Sequence, residues 1–154
     1  EVSGGSVNPG TGSVTTLIAA ANACIGKNLA QCAKYFGVSN PNCEWCAWFV
    51  RQCGIKANMN FGTSNIASQV RGVNGNVSFS ATTPKVGDLA LIDTHGGSSV
   101  GHVGIITAIT GNNITTVEGN MSGSVTTSIV KNASYDASGY SSTFGRIVYI
   151  GKNS

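Results

Sequence analysis

The hydrophobic period of the chain changes once, near Pro84, and that change restricts the fold more than any other feature. Ahead of it, Val14, Leu17, Ile18, Ala21 and Ile25 recur at helical spacing behind Ser13, a suitable N-cap, which predicts a helix over 13–25. A short second helix is expected from about Leu29 to Phe36. After a polar turn between Ser39 and Asn42, the run CEWCAWFVRQCGI reads as a buried helix. Trp45, Phe49 and Cys53 repeat every four residues, Ala47 and Val50 fill the adjacent stripe, and Gly54 is the expected residue at its end. Weaker signals suggest one further helix around 64–71, and no element is assigned to 72–83.

Beyond Pro84 the segments 88–92, 102–110, 113–118, 124–130 and 144–150 are rich in β-branched residues and bounded by Gly and Asn, as strands are. Helices followed by consecutive strands predict an α+β domain: N-terminal helices packed on an antiparallel sheet of about five or six strands. The 154 residues suit one domain with one core. Residues 1–12, rich in Gly and Ser, read as a flexible leader or linker, and 13–154 as the domain proper.

Charge excludes some functions. Lys and Arg number 9 against 6 Asp and Glu, a formal net charge of +3, and the basic residues are scattered. Phosphate-backbone binding needs clustered cations, so no nucleic-acid partner is expected. No apolar run approaches the roughly 20 residues of a membrane span, and the chain opens on Glu1, so a soluble and processed or trimmed protein is expected. A polar fraction carried by Ser, Thr, Asn and Gly is common in secreted proteins, so secretion is expected, as a monomer.

All five cysteines, Cys24, Cys32, Cys43, Cys46 and Cys53, precede residue 54. If one is a working thiol, four remain; buried free thiols and disulfides are both open readings until the compartment is known. In an oxidising compartment Cys24 with Cys32 is the better pair, because Cys43 and Cys53 would lie at opposite ends of one helix, roughly 15 Å apart. Cys43 and Cys46 have the gap of a metal knuckle, yet no second pair or His cluster follows, and no metal or other cofactor is expected.

A thiol attacks as its thiolate, which a helix N-terminus and a neighbouring imidazole both favour. Cys46 falls in the first turn or so of the third helix, where the dipole and free backbone N–H groups would stabilise negative charge and an oxyanion. Cys53 lies at the far end, and Cys24 and Cys32 on earlier helices. The base must come from two histidines. His95, in the loop THGGSS, has the setting of a solvated side chain, whereas His102 opens an apolar strand; a hydrogen-bonded structural histidine remains the alternative reading there.

The runs WCAWFVRQC at 45–53, PKVGDLALI at 84–92, GHVGII at 101–106 and TVEGN at 116–120 resemble the CHAP domains. These are cysteine- and histidine-dependent amidohydrolases and peptidases related to the NlpC-type peptidoglycan peptidases. The resemblance covers roughly 13–150 and implies a papain-like fold, with Cys46 as nucleophile, His102 as base, and Glu118 and Asn120 orienting the imidazole. Many family members have Gln directly before the nucleophile; Trp45 stands there, which leaves Asn42 as a weak candidate for second oxyanion donor. Gly87 and Asp88 match the family's Gly-Asp and read as a structural turn whose carboxylate holds nearby backbone N–H groups. A hairpin centred on Gly111 would set His102 opposite Asn120, with Glu118 the diagonal neighbour roughly 7–8 Å away by Cα.

The activity implied is hydrolysis of peptide bonds in the stem or cross-bridge of peptidoglycan, a cysteine endopeptidase. N-acetylmuramoyl-L-alanine amidase and a non-catalytic wall-binding domain on the same fold are the alternatives. A binding module gains nothing from a thiol beside an imidazole, and digestion of peptidoglycan separates the first two readings by the bond broken. A small disulfide-stapled protein, with Cys46 itself paired, would show no native thiol reactive toward a mild alkylating agent.

Overall fold

The computed structural model describes residues 12–97, 99–141 and 145–154. Residues 1–11 of the expected leader lie outside them. Three α-helices, α1 (Val14–Ala23), α2 (Leu29–Phe36) and α3 (Cys46–Lys56), precede a six-stranded antiparallel sheet. The strands are β1 (Asn76–Ser78), β2 (Leu89–Asp93), β3 (His102–Thr110), β4 (Asn113–Met121), β5 (Ile129–Tyr135) and β6 (Arg146–Gly151), in the order β1-β6-β2-β3-β4-β5. This is the α+β, papain-like architecture expected.

The helix ends follow local chemistry. The Ser13 hydroxyl accepts from the Thr16 N–H at 3.1 Å and starts α1. Asn28 and Gln31 form a reciprocal capping box that starts α2, and Gly37 ends it in the left-handed region at φ 73°. The third helix begins at Cys46, later than the apolar run suggests, and passes through Gly54 to Lys56. Gly54 is there for space: a Cβ would meet the Phe61 ring at 2.6 Å.

The helix expected around 64–71 is a single 3-10 turn at Ala67–Gln69. Local bonds hold the chain around it instead, from Ile66 N–H to the Ser64 hydroxyl at 3.0 Å and from Arg71 N–H to the Phe61 carbonyl at 3.2 Å. The strand expected over 124–130 lies later, because the Thr127 hydroxyl accepts from Ser124 N–H and the Ser128 N–H bonds back to the Ser124 carbonyl. Those bonds close a turn and exclude the ladder. The short β1 falls in the stretch left unassigned.

Side-chain alternation divides the sheet's two faces. Leu89, Leu91, Val103, Ile105, Val117 and Val130 join the helices in one core, while Ala90, Ile92, Ile106, Ile114, Ala133, Tyr135, Ile147 and Ile150 pack together on the other face. Full burial of a Leu, Ile or Phe side chain contributes about 1.5–3 kcal/mol. Gly119 lets the helical layer close on β4, since a Cβ there would lie 2.9 Å from Phe49 Cβ and the Trp45 ring. Asp88 is fully buried and accepts from the N–H groups of Lys85 and Asn153 and from Lys152 Nζ, each at 2.9 Å, which ties the start of β2 to the C-terminal residues.

Candidate active site

Cys46 is the first residue of α3, and His102 is the first residue of β3. No side chain caps the N-terminus of α3, so its leading N–H groups are left for other acceptors. The helix is anchored at that end by Trp45, whose indole N–H lies 3.0 Å from the Ser128 hydroxyl and 3.2 Å from the Val125 carbonyl. Cys46 is almost wholly enclosed, at 6% exposure.

The register Ile105↔Val117 is the one a hairpin centred on Gly111 gives, although the half nearer the turn is offset by a bulge between Ile106 and Ala108. Glu118 then lies across Gly104. A Cβ on Gly104 would come within 2.5 Å of the Glu118 Cγ, so the bare backbone there makes room for the carboxylate to reach toward the strand's first residue. His102 Nε2 stands 3.0 Å from Glu118 Oε1. Among the described residues neither atom has a hydrogen-bond partner, so the attraction is chiefly that of opposite charges. The other oxygen, Oε2, accepts from the Thr116 hydroxyl at 2.5 Å and from the Tyr135 hydroxyl at 2.7 Å.

Burial opposes a charge on His102, yet contact with the Cys46 sulfur and with Glu118 outweighs it and pushes the imidazole up to about 10. Burial likewise works against an ionised Glu118, but His102, Thr116 and Tyr135 together hold it below the ordinary carboxylate value. Tyr135 is raised by its burial and by the charge of Glu118, and remains a phenol and a donor. At neutral pH His102 is therefore an imidazolium with one nitrogen toward Glu118, which leaves Nδ1 for the sulfur of Cys46.

Asn120 is not brought to the imidazole, contrary to the expectation that it shares that task with Glu118. Its backbone turns into the left-handed region at φ 61°, in a bulge of β4 against β5 between Glu118 and Met121, and the strand alternation that would put it beside Glu118 is lost. Its amide instead donates to the Glu44 carboxylate and accepts from the Ser128 hydroxyl at 2.8 Å. His95 is exposed in the loop after β2, and its N–H bonds the Asp93 carboxylate at 2.9 Å. Thr116 and Tyr135 are site residues that the sequence reading missed. Thr116 stands two before Glu118 and so shares its face, a usable signal; Tyr135 becomes a neighbour only through the pairing of β5 with β4.

All five cysteines are free thiols, and those of Cys24 and Cys32 contact one another. Among the described residues no three His, Cys, Asp or Glu side chains are grouped so as to hold a metal ion. Among the described residues no helix is long and apolar enough to cross a membrane.

A thiol, an imidazolium and a carboxylate brought together beside a helix N-terminus have the chemistry that nucleophilic catalysis needs. The family model described as CHAP domain matches residues 28–120, and the chain belongs to that family. Two solved structures share the fold. One, "The crystal structure of Ly7917", matches with a TM-score of 0.51 at 16% identity, over 92% of this chain and 62% of that one. The other, "The crystal structure of Ly7917 with the hydrolyzing product of MDP", matches with a TM-score of 0.51 at 20% identity, over 90% of this chain and 62% of that one. This chain thus spans less than two thirds of the length of the solved chains it matches. None of the curated proteins matches it.

Proposed function

We propose that this chain is a peptidoglycan hydrolase that cleaves peptide bonds of the bacterial cell-wall stem or cross-bridge through Cys46 and His102. The observation that carries the reading is the buried line from Cys46 through His102 to Glu118. A neutral structural histidine would need neither the thiol nor the carboxylate. The substrate class draws support from membership of the CHAP family and from the similar structure described with a hydrolysing product of MDP.

In the reaction, the Cys46 sulfur attacks the scissile carbonyl while N–H groups at the start of α3 receive the oxyanion. His102 gives its Nδ1 proton to the leaving amine, and a thioester forms. With the sulfur acylated and its own proton given to the leaving amine, the imidazole is neutral and free to act as a base. It then takes a proton from water, which attacks the thioester and frees Cys46. Glu118 stabilises the ring whenever it is charged.

Residues 13–154 act as one catalytic domain in this reading, working as a monomer outside the cytoplasm, where the substrate lies. Mass analysis of purified peptidoglycan after digestion tests the proposal: new N-termini within peptides support an endopeptidase. Release of whole stem peptides from the sugar would replace it with an amidase, and unchanged fragments would refute hydrolysis of this polymer.

A further inference from the structure

Glu118 can serve His102 only if its carboxylate keeps one oxygen free and pointed, and burial gives it reason to do otherwise. A carboxylate with no access to water either takes up a proton or turns toward whatever donor is near. Glu118 is fully enclosed, as is Thr116, and Tyr135 is 1% exposed. Both hydroxyls converge on the same oxygen, Oε2, Thr116 from β4 itself and Tyr135 from β5. Among the described residues Oε1 has no hydrogen-bond partner, and His102 Nε2 stands 3.0 Å from it. The titratable groups that face the carboxylate are His102 and Tyr135, and Cys46 faces the imidazole from α3.

We propose that Thr116 and Tyr135 are positioning residues: their hydroxyls saturate Oε2, fix the side-chain rotamer of Glu118, and so reserve Oε1 for the imidazole that serves Cys46. The inference deepens the proposed site and rests on it for its meaning in catalysis, but its geometry concerns the resting protein alone. A phenol held above its ordinary pKa cannot accept the proton of the pair, so Tyr135 acts only as a donor. Apolar side chains of the same size would fill the same space and leave Oε2 without either bond, which separates positioning from packing.

The test is the titration of His102 followed by NMR of the imidazole resonances in Tyr135→Phe, Thr116→Val, Thr116→Ser and the double variant Tyr135→Phe/Thr116→Val, with exposed His95 as internal reference. No peptidoglycan is present, so the outcome is independent of whether that polymer is the substrate. Loss of either hydroxyl should lower the His102 pKa by about one unit, in keeping with the strength of charge-assisted hydrogen bonds, and the double variant should lower it further. Thr116→Ser keeps the hydroxyl and should keep the wild-type value, and His95 should not move. Should the double variant fail to fold, the contrast between Thr116→Val and Thr116→Ser decides alone. A His102 titration unchanged in folded Tyr135→Phe and Thr116→Val, or equally displaced in Thr116→Ser and Thr116→Val, overturns the proposal.

Discussion

Nε2 of His102 and Oε1 of Glu118 stand 3.0 Å apart, and among the described residues neither atom has another polar partner. A buried charge left without its partner costs about 3–5 kcal/mol. For His102 that figure is an upper bound, because the ring can shed its proton.

The pair gives stability a defined pH window. His102 is raised from 6.5 to about 10, so its share is fully present below 6.5 and is lost as pH rises through 10. Glu118 is lowered from 4.5, so its share is present above 4.5 and is lost as pH falls through the depressed value. The difference in melting temperature between wild type and Glu118→Gln should therefore be greatest between about 4.5 and 6.5 and shrink on either side. The same variant should lower the His102 pKa and reduce turnover; an unchanged pH profile would contradict the assigned role.

Gly104 is required by the approach of Glu118. Gly104→Ala would force a Cβ to within 2.5 Å of Glu118 Cγ and 3.2 Å of the Val117 carbonyl. Overpacking of this kind costs about 1–3 kcal/mol, and the displaced carboxylate should cut turnover by roughly tenfold or more, a loss of about 1.4 kcal/mol in transition-state stabilisation. Calorimetry and a turnover assay together check both parts.

Asn120 should behave differently from Glu118. Asn120→Ala loses bonds to Glu44 and Ser128 and places Ala in the left-handed region at φ 61°, which costs about 1–2 kcal/mol. It should lower the melting temperature and leave the His102 titration in place. Asn120→Gly should recover part of the stability, since glycine accepts that backbone.

What the sequence made legible were the features written in adjacent residues. The short helix expected from about Leu29 to Phe36 is α2, and the β-branched run from His102 to Thr110 is β3. Features set by the fold stayed hidden. The run 124–130 is rich in β-branched residues as strands are, yet the hydroxyls of Ser124 and Thr127 close a turn there. Asn120 stands two residues from Glu118 and would share its face but for one left-handed residue. Tyr135 reaches Glu118 across a register, Glu118↔Lys131, that no local pattern encodes.

Cys24 and Cys32 also bear a prediction. Their side chains touch across the turn between α1 and α2, and Cys43 instead accepts from the Asn65 amide at 3.8 Å. With oxidised glutathione as the electron acceptor, both thiols are oxidised to a disulfide and two glutathione thiols are released. A peptide map should link Cys24 to Cys32 and leave Cys43 unpaired with Cys53; a bond between Cys43 and Cys53 would contradict this pairing.

The central claim is that the Cys46 sulfur breaks bonds in peptidoglycan. The rate of fragment release from purified walls, compared between wild type and Cys46→Ala, measures it most directly. Removal of a hydrolase nucleophile typically lowers turnover by at least roughly a thousandfold. The account requires such a loss, with the melting temperature nearly unchanged because Cys46 and Ala differ little in volume. Wild-type release by Cys46→Ala would contradict it.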